Sequence, residues 1–211
     1  MSIQKEIYSM KKRIYQSFPR LNIRGDRDIE ERIKVYMLFD YINKNDNVLV
    51  IGSNEGFLDI ELSYKCKYIT SVEINDINNK IHKRVLDYLS IDNNDVHTSS
   101  FQDFTTDDNF SFIICTAVHR YILTDMSIED YVEKIDRLLK QDGIFLFESH
   151  QRNKHRKKTP SGKDRDNPLN IDVEFEIIKD RFLDLGYDII HSGKSHEDTP
   201  HEREYIYIRK L

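Results

Sequence analysis

The stretch NVLVIGSNEGF, residues 47–57, decides the fold. Its first half is an unbroken apolar run from Val48 to Ile51, which is typical of a strand covered on both faces of a parallel sheet. Gly52 and Gly56 then bracket a short polar turn, where the chain can bend sharply and a ligand can approach the backbone. Apolar residues at helical spacing follow the turn. A strand, a glycine turn and a helix N-terminus together predict a site for a nucleotide-like ligand.

Strand-like and helix-like segments alternate along the rest of the chain. Buried strands are predicted at 68–74, 110–117 and 143–149, with a short strand at 95–99. The last two strand-like segments, YDIIHS and REYIYIRKL, are about ten residues apart, which is close enough for an antiparallel pair. We therefore predict an α/β, doubly wound (Rossmann-like) fold with a seven-stranded mixed sheet and an antiparallel C-terminal hairpin.

The first 42 residues are predicted to form a helical cap on residues 43–211, within a single compact domain. Apolar residues recur at helical spacing in its first helix, at Ile3, Ile7, Met10 and Ile14. Asp28 and Glu31 predict a capping box at the start of a second helix. The predicted buried face of that second helix carries Ile29, Ile33, Tyr36, Met37 and Tyr41.

Composition limits the class of protein. The chain has 211 residues, of which 38% are hydrophobic and 33% are charged, and its formal net charge is -5. A net acidic chain is not a general polyanion binder, so nucleic acid is not the expected partner. No apolar run has the length of a membrane span, and Cys66 and Cys115 form no CxxC pair. We therefore expect a cytoplasmic protein without a membrane partner, as a monomer or homodimer.

The glycine turn does not identify which nucleotide-like ligand binds. Residues 52–56 do not match the GxGxxG pattern of dinucleotide-binding dehydrogenases. Glu73 falls at the end of the second predicted strand, about 20 residues after the turn, where an acid can bind both ribose hydroxyls. These two features together are compatible with several adenosine ligands.

Five motifs in order resemble those of the class I S-adenosyl-L-methionine (SAM)-dependent methyltransferases, over nearly the whole chain. They are NVLVIGSNEGF, VEIN, SSFQDF, FSFIICTAVHRYI and LLKQDGIFLFESH. The resemblance implies the class I methyltransferase fold, with SAM as cofactor and S-adenosyl-L-homocysteine (SAH) as product. It also implies that VEIN binds the ribose and SSFQDF meets the adenine. The cofactor-binding residues implied in this way are Gly52, Ser53, Asn54, Gly56, Glu73, Ile74, Asp103, Phe104 and Thr116.

A narrower resemblance rests on FPRLNIRGDRDIEERIKVY, TAVHRYI and FESH. These segments are similar to bacterial small-molecule methyltransferases of capsule and surface-polysaccharide assembly, which implies a small, nucleotide-linked or carbohydrate-linked acceptor. The chain departs from the first motif of the family where Val50 replaces an acid and Asn54 replaces a third glycine. That acid helps to fix the amino end of SAM, so Asp26, Arg24 or Asn54 is expected to substitute for it.

Three polar residues are candidates for catalysis at the carboxyl edge of the sheet. His119 follows the fourth predicted strand, and Glu148 and His150 end the fifth. A histidine can act as a general base or orient the substrate, and a carboxylate can orient that base. The alternative is that all three serve packing or a loop hydrogen-bond network. No pair has the close helical spacing of a metal site, so no metal is predicted.

The segment HQRNKHRKKTPSGKDRDNP, residues 150–168, is long, polar and basic. One interpretation is a solvated loop. The other is a lid that recognises phosphate or another anion on the acceptor, joined by arginines near the N-terminus such as Arg20. The candidate acceptor-binding residues are Arg24, Arg27, Arg156, Lys157 and Lys158.

These inferences predict a SAM-dependent O-methyltransferase with a small or carbohydrate-linked, anionic acceptor in capsule or surface-polysaccharide biosynthesis. Because the methyl group of SAM is already activated, the protein mainly aligns donor and acceptor. A hydroxyl acceptor would benefit from a base, whereas a phosphoryl oxygen would need none. Three alternatives stay open: methylation of a phosphorus-bound oxygen (phosphate or phosphoramidate) in a capsule modification, methylation of RNA, and a SAM-binding module without turnover.

Overall fold

Seven strands form one mixed sheet in the computed structural model, which describes residues 2–149, 173–197 and 202–211. The strands are β1 (Asn47–Ile51), β2 (Tyr68–Glu73), β3 (Asn94–Thr98), β4 (Phe110–Thr116), β5 (Leu139–Glu148), β6 (Asp188–Ser195) and β7 (Arg203–Arg209). The α-helices are α1 (Ile3–Met10), α2 (Ile29–Val35), α3 (Leu38–Tyr41), α4 (Phe57–Ser63), α5 (Asp76–Leu89), α6 (His119–Ile122), α7 (Ile128–Leu138) and α8 (Val173–Asp184).

The order of the strands confirms the predicted sheet. It is β3-β2-β1-β4-β5-β7-β6, and β1 to β5 pair in parallel. β7 runs antiparallel to both of its neighbours, β5 and β6, as the predicted C-terminal hairpin requires. The carboxyl ends of β1, β2, β4 and β5 therefore meet at one edge, where open α/β sheets hold their ligands.

The sheet separates two hydrophobic clusters, which explains why β1 is apolar at every buried position. Val48 and Val50 point into the cluster that α1, α4 and α5 complete. Leu49 and Ile51 point into the opposite cluster, which α7 and α8 complete. Side chains alternate between the faces of a strand, so a strand covered on both sides needs an apolar residue at each place.

The N-terminal helix is shorter than its apolar spacing predicted. α1 ends at Met10, and Lys11 has an extended backbone with φ of -147°. Ile14 is buried in the same cluster as α1, although it lies beyond the helix. The apolar spacing that we assigned to one helix therefore includes Ile14, which is buried in the segment after the helix.

The second predicted helix is divided in two. Asp28 caps α2 as expected, because its side chain accepts hydrogen bonds from the backbone N–H groups of Glu30 and Glu31. The chain then turns at Met37, whose φ of 54° is left-handed, before α3 begins. Tyr36 and Leu38, on either side of the break, are both buried, so the apolar pattern does not reveal it.

β5 begins at Leu139 rather than at residue 143. Phe110 pairs with Leu139, but Phe112 pairs with Ile144, so the register shifts between these two pairs. Asp142 within the extra residues has a φ of 60°, which is typical of such an irregularity. None of the described helices is both long enough and apolar enough to cross a membrane.

A buried polar network lies between α4, β2, β3 and α5. Ser71 Oγ is 2.6 Å from Asp59 Oδ2 and 3.1 Å from Asn94 Oδ1. The amide nitrogen of Asn94 is 3.3 Å from Nε2 of His82. Burial raises the pKa of Asp59 from 3.8 to about 7 and lowers the pKa of His82 from 6.5 to about 3. Both side chains are therefore uncharged in mildly acidic solution.

Replacing Asp59 with asparagine is expected to make folding stability more sensitive to acid. The contribution of Asp59 is fully present below about pH 4 and is lost as the pH rises to about 7. The contribution of His82 is fully present above about pH 6.5 and is lost as the pH falls towards 3. These slopes oppose each other in the wild type, and Asp59→Asn leaves the His82 slope of about 1.4 kcal/mol per pH unit.

Urea unfolding at about pH 4.5 and pH 6.5 measures this difference. The exposed Asp87→Asn on α5 is the control, and it should keep the shallow pH slope of the wild type. Equal pH slopes in Asp59→Asn and the wild type would contradict the opposing contributions.

Candidate active site

A cleft of about 210 Å³ opens at the carboxyl ends of β1 and β2. Its walls are Ile51, Gly52, Val72, Glu73, Ile74, Ser99, Ser100, Phe101, Gln102, Val118, Tyr121, Ile122 and Asp125. The structure thus brings together parts of four predicted motifs, because the strands that carry them end at the same edge. α6 forms the remaining wall with Tyr121 and Ile122.

The turn after β1 has no room for a side chain at Gly52. Gly52 has a φ of 75°, and a Cβ there would lie 2.7 Å from Cγ1 of Val118. Asn54, which stands where the methyltransferase motif has a glycine, has a φ of 55°. Asparagine tolerates this left-handed conformation better than most other residues. The departure from the motif therefore keeps the backbone geometry of the turn.

Glu73 lies in the cleft with its carboxylate fixed by two backbone groups. Its Oε2 accepts a hydrogen bond of 2.9 Å from Asn54 N–H, and Oε1 accepts one of 2.8 Å from Asn75 N–H. The bond from Asn54 links the end of β2 to the glycine turn. Ile74 beside it is 71% exposed and lines the cleft, so an apolar surface adjoins the carboxylate.

The loop after β3 forms the opposite wall. Phe101 contributes to the wall of the cleft although it is as buried as Phe104, which packs edge-on against His97 at 5.2 Å. Asp103 is exposed, and its Oδ2 accepts a hydrogen bond of 2.7 Å from Ser100 Oγ. The wall of the cleft therefore includes Phe101, whereas the predicted Asp103 and Phe104 are not part of it. Their contacts with adenine stay predictions.

A family model for nodulation protein S (NodS) matches residues 31–159, which is more than half of the chain. The chain belongs to the NodS family. It is therefore a SAM-dependent methyltransferase, which confirms the predicted enzyme class and the SAM dependence.

Solved structures of other methyltransferases share the fold. The N-methyltransferase NodS from Bradyrhizobium japonicum WM9 is 15% identical, with a TM-score of 0.66 over 85% of this chain and 96% of that one. The bifunctional kinase-methyltransferase WbdD is 15% identical, with a TM-score of 0.68 over 98% of this chain and 46% of that one. An rRNA methylase from Streptococcus thermophilus is 11% identical, with a TM-score of 0.60 over 85% and 95%. At these identities the likeness confirms the class I methyltransferase fold.

One curated relative is more similar in sequence over a shorter stretch. The rRNA adenine N-6-methyltransferase of Limosilactobacillus reuteri is 31% identical over 86 residues. The match covers 41% of this chain and 34% of that protein, so the chain spans about a third of the relative's length.

The cleft of this NodS-family chain fits an adenosine-bearing cofactor. Gly52 lines the cleft without a side chain, so a ligand can approach the backbone of the turn closely. Glu73 offers a carboxylate of the kind that binds ribose hydroxyls. Ile74, which is largely exposed in the wall of the cleft, provides apolar surface for a planar base. SAM therefore suits the residues that are present.

A second group of polar side chains lies at the carboxyl ends of β4 and β5, on the α2 side. We call Arg27, Arg32 and Arg203 the arginine cluster. Arg32 donates a hydrogen bond of 2.8 Å to Thr116 Oγ1, and Arg203 Nη1 lies 3.3 Å from Glu148 Oε2. This arrangement places Thr116, a predicted cofactor-binding residue, beside the arginine cluster.

Glu148 is buried and held by further contacts around the arginine cluster. Its Oε1 accepts hydrogen bonds from Tyr36 and, at 2.5 Å, from Ser195. His196 lies beside it, with Nδ1 3.4 Å from Nη1 of Arg27. Burial and the nearby guanidinium groups lower the pKa of His196 to about 4, so this ring is neutral at pH 7. Sequence reasoning missed His196, because it lies outside every motif.

His119 and Glu148 leave the sheet on opposite faces. His119 is fully buried and packs edge-on against Phe147 at 4.9 Å. Phe147 belongs to the α7–α8 cluster, whereas the neighbouring Leu146 belongs to the other one, and Glu148 follows the alternation to that other side. The structure therefore does not pair these two residues as base and orienting carboxylate. The catalytic role of His119 stays a prediction.

Other predicted residues are placed elsewhere. Arg24 is exposed and donates its backbone N–H to Tyr8 Oη, and Asp26 forms an exposed ion pair with Arg13. Arg20 pairs with Glu61 on the surface. The predictions for His150, Arg156, Lys157 and Lys158 lie outside the described residues. Among the residues that are described, no group of three or more His, Cys, Asp or Glu side chains is arranged to hold a metal.

Glu55, inside the first motif, holds the glycine turn in place, and sequence reasoning did not identify it. It is fully buried and accepts hydrogen bonds from Lys11 Nζ at 2.5 Å, Tyr15 N–H at 2.9 Å and Gln16 N–H at 3.1 Å. Gln16 in turn accepts a hydrogen bond of 2.8 Å from Phe57 N–H at the start of α4. The glycine turn is thus fastened to the N-terminal segment. A charged residue within the turn was the only sequence clue.

Proposed function

We propose that this NodS-family enzyme transfers the methyl group of SAM to an oxygen of a small or carbohydrate-linked anionic acceptor, in capsule or surface-polysaccharide assembly. The observation that carries the proposal is the arginine cluster at the carboxyl ends of β4 and β5, on the same edge of the sheet as the cleft. The resemblance of FPRLNIRGDRDIEERIKVY, TAVHRYI and FESH to methyltransferases of that assembly supports the biological setting.

The charges around the arginine cluster favour an anion. Three guanidinium groups lie near the carboxylates of Glu148 and Glu31, and Asp59 also interacts electrostatically with Arg32. Arginine presents a planar set of donors that matches phosphate and carboxylate groups. Arg32 and Arg27 also lie on the α2 side of the sheet, where Thr116 ends β4.

An ionised acceptor oxygen simplifies the chemistry. SAM supplies a methyl group already activated on a cationic sulfur. The residues of the chain then have to hold the acceptor in line and neutralise its charge, and they need not remove a proton. This suits a site whose candidate base, His119, has a fully buried side chain. Phosphate or phosphoramidate oxygens are acceptors of this kind.

Transfer to nitrogen is the second candidate. The solved NodS of Bradyrhizobium japonicum WM9 is an N-methyltransferase, and the partial match to an rRNA adenine N-6-methyltransferase favours a nucleic-acid amine. The net charge of -5 argues against RNA as the acceptor. SAM binding without turnover is the remaining alternative, and it predicts that no SAH forms with any acceptor.

Arg32→Gln is expected to raise the acceptor KM about 10- to 100-fold, because it removes a charge-assisted contact of about 1.5–3 kcal/mol. SAH formation would be measured with labelled SAM and matched acceptors, each a sugar and its phosphate ester, with total RNA as a separate sample. SAH affinity should change much less than the acceptor KM, because neither Arg32 nor its partner Thr116 is in the wall of the cleft.

Lys34→Gln is the matched control, since it removes an exposed charge from the same helix. It should keep the acceptor KM of the wild type. Equal turnover of the sugar and its phosphate ester would contradict the anionic acceptor. Label transfer to RNA alone would favour the nucleic-acid alternative.

A further inference from the structure

Lys134 on α7 is a buried lysine whose ammonium group faces backbone carbonyls. The residue is 8% exposed, and its Nζ donates hydrogen bonds to the carbonyl oxygens of Phe101 at 2.6 Å, Gln102 at 2.9 Å and Phe104 at 2.7 Å. It also lies 4.9 Å from the centroid of the Phe101 ring. An ammonium group has three donors, so the loop after β3 satisfies all of them.

This placement has an electrostatic cost. Burial lowers the pKa of Lys134 from its ordinary value, and Arg137 acts in the same direction, while Asp103 partly opposes them. A methionine would fill a similar volume on the buried face of α7 without the desolvation of a charge. The ammonium group therefore supplies something that apolar packing would not, namely a fixed position for three carbonyl groups.

The loop that Lys134 fixes is a wall of the cleft. Ser99, Ser100, Phe101 and Gln102 line the cleft, whereas Lys134, on α7, is not part of its wall. The carbonyl groups that point to Lys134 are turned into the protein. Without the ammonium group, these carbonyls would need other donors, and the backbone that carries Phe101 would have to move.

We infer that Lys134 is a positioning residue that holds the adenosine side of the SAM cleft in its binding geometry. Lys134 acts through the loop, whereas Glu73 offers its carboxylate to the cleft directly. The inference rests on the SAM dependence of the family and not on the identity of the acceptor.

Calorimetry with two probes tests the inference. SAH is the complete product of SAM after methyl transfer. 5′-Methylthioadenosine has the adenosine and the sulfur of SAH but lacks its amino-acid part. Lys134→Met is expected to weaken both by a similar factor, about tenfold, because the change affects the part that they share. Glu73→Gln should also weaken both probes, which shows that they occupy this cleft.

Lys210→Met is the matched control. Lys210 Nζ also donates to backbone carbonyls, of Asp136 at 2.6 Å and Leu139 at 3.3 Å, at the end of β5 away from the cleft. It should lower the unfolding midpoint but leave both affinities unchanged. If the role of Lys134 were only structural, Lys134→Met would likewise lower the unfolding midpoint and leave both affinities unchanged.

Lys134→Arg keeps the charge but presents a planar fork instead of a tetrahedral ammonium group. It is expected to bind both probes with an affinity between those of the wild type and Lys134→Met, which also provides the test if the methionine variant does not fold. Wild-type affinity in either folded variant overturns the inference. Loss of SAH binding with unchanged 5′-methylthioadenosine binding, or unchanged binding in Glu73→Gln, overturns it as well.

Discussion

Replacing Gly56 with alanine is expected to lower the free energy of unfolding by about 3 kcal/mol, through backbone strain and a steric clash. Gly56 has a φ of 73°, which costs a residue with a Cβ about 1–2 kcal/mol. The added Cβ would lie 2.1 Å from Cγ and Nδ1 of His82. The His82 ring is fully buried and contacts Asn94, so it cannot move aside freely. Overpacking of this kind costs about 1–3 kcal/mol.

Gly186→Ala separates the two effects. Gly186 has a φ of 87°, but no atom lies within 4 Å of an added Cβ. Its replacement should therefore show the backbone cost alone, about 1–2 kcal/mol. Urea unfolding of both variants gives the comparison. Equal losses in the two variants would mean that the His82 ring yields without cost, contrary to the expectation.

The second large effect is expected for Glu55→Gln, at about 2–3 kcal/mol of unfolding free energy. The carboxylate accepts from Lys11 and Tyr15 through one oxygen and from Gln16 through the other. A glutamine side chain has one oxygen, so its NH₂ group must face at least one of these donors. Residues 11–16 should detach more readily, which hydrogen exchange of their amides would measure.

Glu61→Gln is the control for this variant. Glu61 also joins α4 to the N-terminal segment, through a two-bond ion pair with Arg20 of 2.9 and 3.0 Å. That pair is more exposed than the buried Glu55 contacts, so its loss should cost less than about 1 kcal/mol. If Glu55→Gln loses no more stability than Glu61→Gln, Glu55 does not fasten the turn as we describe.

The strand-and-turn framework could be predicted because its causes are local. A run such as Val48 to Ile51 is apolar since both faces of its strand are covered, and the neighbouring strands follow the same rule. Gly52 and Glu73 could be predicted because each lies at the end of a strand, and the ends of these strands form the cleft. The alternation of segments then fixed the order of the elements.

The rest depends on contacts between residues distant in sequence. Glu55 meets Tyr15, and Lys134 meets Phe101, and neither pair has a local pattern. The presence of Phe101 rather than Phe104 in the wall of the cleft has no local pattern either, because both residues are buried in the same cluster. The break at Met37 was hidden for the opposite reason, since buried residues continue on both sides of it.

The N-terminal segment has a consequence for how this protein can be divided. Ile7, Phe18 and Ile29 are fully buried in the cluster on one face of the sheet. The family match begins at residue 31, after all of these side chains. A fragment cut where the sequence similarity begins would therefore lack part of this hydrophobic cluster, and it would lose the partners of Glu55 as well. For this chain, the segment that matches the family model should therefore not be taken as a unit that folds independently.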